Sequence, residues 1–139
     1  MENKKDCIFC KIAQGEIKAE KIYEHDNFFA IPDANPIVAG HSLIISKKHF
    51  ENTLDLPASL GMELLEAIKR TSEILIKKYN ATGFNVVNNN FESAGQIVKH
   101  VHFHIIPRMK DDGLKHWPSI KYKDGELEKA QRAISDEFI

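Results

Sequence analysis

No stretch of this sequence approaches the roughly 18 consecutive apolar residues that a helix needs to cross a bilayer, so nothing in it reads as a membrane span. Net charge is missing too. With 19 Lys and Arg against 20 Asp and Glu, the formal charge is -1, and a nucleic-acid role would need a local basic patch rather than a global field. Five Pro and seven Gly are too few for a fibrous or disordered chain. The charged start, Met1-Glu2-Asn3-Lys4-Lys5-Asp6, runs into only a short apolar stretch. It lacks the apolar segment of a secretory signal, which makes the cytoplasm the expected location. Cysteine is scarce: Cys7 and Cys10 form one Cys-x-x-Cys unit, which in a reducing compartment points to metal binding or redox chemistry more than to a structural disulfide.

What is present is the composition of a soluble globular protein, 42% hydrophobic and 28% charged over 139 residues. That length fits one domain, 1–139, with a single core. No repeat or linker divides it. Lys21–Glu24 and Phe28–Ile31 read as a hairpin across the polar turn His25-Asp26-Asn27, and His41–Ile45 after Gly40 as a third strand. From Pro57 to Tyr79, Leu60, Leu64, Leu65, Ile68, Leu75 and Tyr79 recur at helical spacing, predicting one long amphipathic helix stopped by Asn80 and Gly83. Phe84–Asn88 and Lys99–Arg108 supply two more strands, and Glu126–Ile134 a short C-terminal helix. Strands joined by turns with few intervening helices predict an α+β fold: a five-stranded antiparallel sheet, one long helix and a short C-terminal helix.

The segment His100-Val101-His102-Phe103-His104-Ile105-Ile106 carries the chemistry. Alternation on a strand puts the three histidines on one face, with Val101, Phe103 and Ile105 on the other. A lone histidine is usually a solvated or hydrogen-bonded residue; three in a row call for a different account. The outer pair lies roughly 13 Å apart along a strand, too far for three ligands of one metal with bonds of about 2 Å. Just upstream, Ala94-Gly95-Gln96 follows the amide run Asn88-Asn89-Asn90, and a Gly there allows backbone N–H groups to approach phosphate oxygens.

Gly95-Gln96-x-Val98-x-His100-x-His102-x-His104 resembles the signature of the histidine triad family. The resemblance extends over nearly the whole chain: Cys7–Ile12, Gly40–Ile45, Lys47-Lys48-His49 and His116-Trp117-Pro118 also match family features in order. It implies a purine nucleotide substrate, His102 as nucleophile toward an α-phosphate, and His104 as a phosphate contact. It further implies His41 near the α-phosphate, Asp33 at the ribose hydroxyls, and Asn89 near the leaving group, with Asn88 an alternative. A homodimer and a histidine triad fold follow from the same resemblance. A neutral imidazole is a competent nucleophile near pH 7, and its phosphoramidate is labile to water, so no catalytic metal is required. The second ring nitrogen of His102 is then expected to donate to a backbone carbonyl.

One position departs from the pattern. Ile97 stands where the family has Ser or Thr, and it offers only a backbone N–H. Gln96 is the expected stand-in as donor. The family's zinc-containing members suggest Cys7, Cys10, His49 and His100 as a closed structural zinc site; the alternatives are a redox pair or two core cysteines. His25 and His116 are expected to face solvent, and Trp117 to lie in core or interface. Within the enzyme reading, His116-Trp117-Pro118 leans toward nucleoside phosphoramidates and Pro107-Arg108 toward dinucleoside polyphosphates. Competing readings are a nucleotide-binding regulatory module that has lost turnover through Ile97, and a zinc hydrolase using His102 and His104.

Overall fold

The computed structural model describes residues 4–138, so the first three residues of the charged start lie outside it. Helix α1 spans Ile8–Ala13; strands follow at Tyr23–Glu24 (β1), Phe28–Pro32 (β2) and Ser42–Ser46 (β3); then come α2 over Gly61–Tyr79, β4 over Gly83–Val87, β5 over His102–Arg108 and α3 over Glu126–Ser135. The five strands form one antiparallel sheet, as strands joined by turns with few intervening helices predict, and their order is β1-β2-β3-β5-β4.

Helix α2 crosses from β3 to β4 and covers one face of the sheet. Leu64, Ala67, Ile68, Thr71 and Leu75 recur at three- and four-residue steps, which places them on the side packed against Phe28, Ala30, Ile44, Phe103 and Ile105. Fully burying each such Ile or Phe contributes roughly 1.5–3 kcal/mol. Leu65, read from the sequence as part of this face, is exposed; the small buried residues Ala67 and Thr71 take the inner line instead, because they let the helix sit close to the sheet. Pro57 adopts an extended backbone and precedes a single 3-10 turn, Ala58–Leu60, so α2 itself begins at Gly61. Asn80, not Gly83, ends the helix, with φ of 52° in the left-handed region.

The opposite face is covered by α1, an element the sequence reading did not include. Phe9 and Ile12 pack there on Phe29, Ile31, Leu43 and Ile45. Six residues give too little periodicity to announce a helix; packing of Phe9, Cys10 and Ile12 is what holds it. Strand β5 starts at His102, three residues later than expected. The chain before it is held by other bonds: the Val101 N–H donates to the Phe50 carbonyl at 2.7 Å.

Register fixes where the histidines point. His102 lies opposite Ile45 and His104 opposite Leu43, while Phe103 lies opposite Ile44. Directly paired residues share a face, so His102 and His104 join the α1 side and Phe103 the α2 side.

Candidate active site and metal-ligand cluster

The triad is more buried than a solvated imidazole row. His100 has no exposure and His102 retains 7%. Rings flank His102 beside its cross-strand partner Ile45: Phe9 meets it edge-on with centroids 5.2 Å apart, and His104 does so at 5.1 Å. Burial disfavours the imidazolium form, and it is the first cause that lowers the pKa of His41, His100, His102 and His104. For His100 and His104 the value falls to about 4. The site is therefore built of neutral imidazoles at pH 7.

A neutral imidazole carries one proton, and its hydrogen-bond partners decide which nitrogen has it. His102 Nδ1 lies 2.7 Å from the His100 carbonyl. A carbonyl only accepts, so Nδ1 carries the hydrogen and Nε2 keeps its lone pair, as the sequence reading expected. The same carbonyl argument applies to His100, whose Nε2 donates to the Ser46 carbonyl at 2.7 Å and leaves Nδ1 bare. The amide of Asn88 donates to the His102 carbonyl at 2.9 Å, bracing the strand from the β4 side.

His104 faces a cavity of about 640 Å³, a size suited to a small organic ligand, whose walls include Asn89, Gly95, Arg108, Lys115 and Trp117. His102 sits one step further in and does not line it. Of the two candidate amides it is Asn89 that lines the cavity, while Asn88 is tied to His102, Thr53 and Asn90. Asn89 also lies 3.7 Å from where a Cβ on Gly95 would stand, and Gly95 has φ of +93°, a conformation that glycine adopts without penalty. His116 lines the same cavity. Trp117, expected in core or interface, is 85% exposed at its wall. His25 is largely exposed, and its ring lies 3.2 Å from Glu63.

Gln96 does not have the role read from the sequence. Its Nε2 donates to the carbonyls of Glu51, at 2.6 Å, and Val98, at 3.1 Å; its Oε1 accepts the Phe91 N–H at 2.8 Å. Both amide hydrogens are spent on backbone carbonyls, one in the loop and one from the distant Glu51, which leaves none for a leaving group. Ile97, next along, is 92% exposed at the lip of the loop.

A second cluster lies beside the triad. The side chains of Cys7, Cys10, His49 and His100 bring one ligand atom each within 4.8 Å of one another. Cys7 Sγ is 3.3 Å from His100 Nδ1, and Cys10 Sγ is 3.2 Å from His49 Nδ1 and 3.5 Å from His100 Nδ1. Tetrahedral bonds of about 2.3 Å to sulfur and about 2.0 Å to nitrogen imply ligand separations near 3.5 Å, so these four fit one zinc ion. The bare Nδ1 of His100 fits as well. Asp33, His41 and His104 also converge within 4.8 Å, but hydrogen bonding organises them differently. The Ile37 N–H donates to His41 Nδ1 at 3.1 Å, so the single proton of neutral His41 is on Nε2, the atom facing the other two.

Comparison with known proteins matches residues 14–111 to the HIT domain, the histidine triad domain. The chain is 35% identical over 145 aligned positions to a Candida albicans protein named as an adenosine 5'-monophosphoramidase, covering 99% of this chain and 95% of that one. Among solved structures it is similar to a HIT family protein of Bacillus subtilis, with TM-score 0.86, 33% identity, and coverage of 97% of this chain and 99% of the other. A zinc-bound histidine triad family protein of Mycobacterium smegmatis gives TM-score 0.75 at 32% identity, covering 94% and 96%.

Proposed function

The chain belongs to the histidine triad family, and from that premise we propose that it is a hydrolase or transferase acting at the α-phosphate of purine nucleotides. The observation that carries this reading is the bare Nε2 of His102, enforced by the bond from Nδ1 to the His100 carbonyl and set next to the cavity-lining His104. Nε2 attacks the α-phosphorus; a P–N bond forms while the bond to the leaving group breaks, and the leaving group departs with the electron pair and takes up a proton. Water then cleaves the P–N bond and releases the nucleotide. His104 stabilises charge on the phosphoryl oxygens, while the N–H groups of Ala94, Gly95 and Gln96 are bonded within their own turn. Asp33 takes the ribose hydroxyls and Asn89 the leaving-group side. The relative named as a phosphoramidase supports an amine leaving group. Against a polyphosphate, the nearby Arg108 is already committed, donating to both carboxylate oxygens of Asp112 at 2.6 and 3.0 Å.

Zinc, in this reading, is structural. Cys7, Cys10, His49 and His100 hold it, and when bound it ties α1 to the chain leading into β5 without touching substrate. The pairing of subunits proposed for the family has a ready surface in edge strand β4, where Phe84 and Val86 are exposed. The chain acts as one domain over 1–139, and among the described residues no helix is long and apolar enough to cross a membrane.

The commitment of the Gln96 amide to backbone favours a second reading, a nucleotide-binding module with little turnover. Mass spectrometry under denaturing conditions, after brief exposure to adenosine phosphoramidate or diadenosine polyphosphate, separates the two. The enzyme reading expects an adenylyl adduct on His102 and no product from His102→Ala. Tight binding with neither adduct nor product favours the module, and an active His102→Ala protein overturns the mechanism.

A further inference from the structure

His102 and His104 are two residues apart on one face of β5, yet the geometry around them demands opposite protonation patterns. For His102 a carbonyl makes the choice, leaving Nε2 bare. For His104 the choice is made at one remove. The Ile37 N–H is a backbone donor with no alternative role, and it points at His41 Nδ1 at 3.1 Å. A neutral His41 must then carry its hydrogen on Nε2, which lies 2.9 Å from His104 Nδ1. His41 is 3% exposed, so water does not compete for that hydrogen. The charged group facing the pair is Asp33, whose Oδ2 is 3.5 Å from His41 Nε2 and 3.9 Å from His104 Nδ1, both longer than the His41–His104 contact.

From this chain of bonds we propose that His41 is a positioning residue which fixes His104 in its Nε2-protonated tautomer, making His104 a hydrogen-bond donor toward the phosphoryl oxygens. The proposal rests on the catalytic reading of His102 and His104, and it replaces a direct phosphate contact as the role of His41. Without the His41 hydrogen, His104 Nδ1 would be free to carry the proton and donate to Asp33. His104 Nε2 would then present a lone pair to an anionic oxygen, the opposite of what charge stabilisation needs. The same hydrogen-bond order explains why Asp33, His41 and His104, although close enough for a cation, do not offer it three lone pairs: one of the three inward atoms bears a hydrogen.

Long-range ¹⁵N–¹H NMR of histidine-labelled protein reads the tautomer directly and does not depend on turnover. In wild type we expect His104 protonated at Nε2 and His102 at Nδ1. His41→Gln keeps an acceptor for Ile37 and an N–H for His104, and should preserve that pattern; His41→Leu should shift the His104 proton toward Nδ1. Turnover should fall about 10²-fold in kcat with little change in KM for His41→Leu, the scale of losing one transition-state donor, and His41→Gln should recover most of it. A wild-type His104 protonated at Nδ1 overturns the proposal, and so does an unchanged tautomer in a folded His41→Leu protein. If the tautomers behave as expected but wild type turns over no nucleotide, the positioning role of His41 stands and the enzymatic reading fails.

Discussion

The side-chain carbonyl of Gln96 accepts the main-chain N–H of Phe91 at 2.8 Å, closing the loop from Phe91 to Gln96 that contains Gly95. Phe91 itself has φ of 69° and ψ of 159°, a region that glycine alone visits freely and that costs other residues on the order of 1–3 kcal/mol. Gln96 is therefore the clasp that holds a strained loop against the cavity, and it has no free donor to replace the hydroxyl missing at position 97.

Ile97→Ser restores that hydroxyl at an exposed position, where the substitution removes no packing. We expect equal or faster turnover, by up to about 10²-fold if the hydroxyl reaches the leaving group, with an unchanged melting temperature. Steady-state kinetics on adenosine phosphoramidate, beside a thermal melt, checks both; slower turnover in a protein of unchanged stability would count against a leaving-group role for this position.

Cys10 is buried, and in the metal-free chain burial is the first cause pushing its thiol up, to about 11. Zinc binding must expel that proton, so metal uptake should acidify a weakly buffered solution. Cys10→Ser is expected to lose one zinc per chain and about 3 kcal/mol, roughly 10 °C in Tm. Elemental analysis and a melt test this; wild type free of zinc, with a Tm indifferent to the substitution, would sink the structural-zinc reading.

Thr71 faces the sheet from α2, and its buried hydroxyl has no hydrogen-bond partner among the described residues. Valine has the same shape without the polar atom. Thr71→Val should stabilise the protein by about 1 kcal/mol, seen as a higher urea midpoint at unchanged slope. A lower midpoint would mean that the hydroxyl is bonded in solution.

His104 is held to about pKa 4 by burial first and then by the neighbouring imidazoles of His102 and His41, against about 6.5 in an unfolded chain. Between those values the unfolded chain binds a proton that the folded one refuses. Stability from this group is thus complete above about pH 6.5 and is lost as pH falls toward 4. Urea midpoints at pH 7 and pH 5 should differ more in wild type than in His104→Asn; parallel profiles would show that His104 is not the titrating group.

The strands, the long helix and the family are legible in the order of residues along the chain, because each rests on local pattern. The apolar run Phe28–Ile31 after a polar turn, helical spacing at Leu60, Leu64 and Ile68, and the His-x-His-x-His run are visible without knowing what packs on what. The tertiary structure decided everything that depends on a distant partner. Leu65 faces out because Ala67 and Thr71 permit the closer approach; α1 exists because Phe9 and Ile12 find the free face of the sheet; Gln96 is spent on Glu51 and Phe91. Above all, the proton positions on His102 and His104 follow from the His100 carbonyl and from Ile37 acting through His41. A residue type specifies what an imidazole can do, whereas the hydrogen-bond partners brought by folding specify which nitrogen does it.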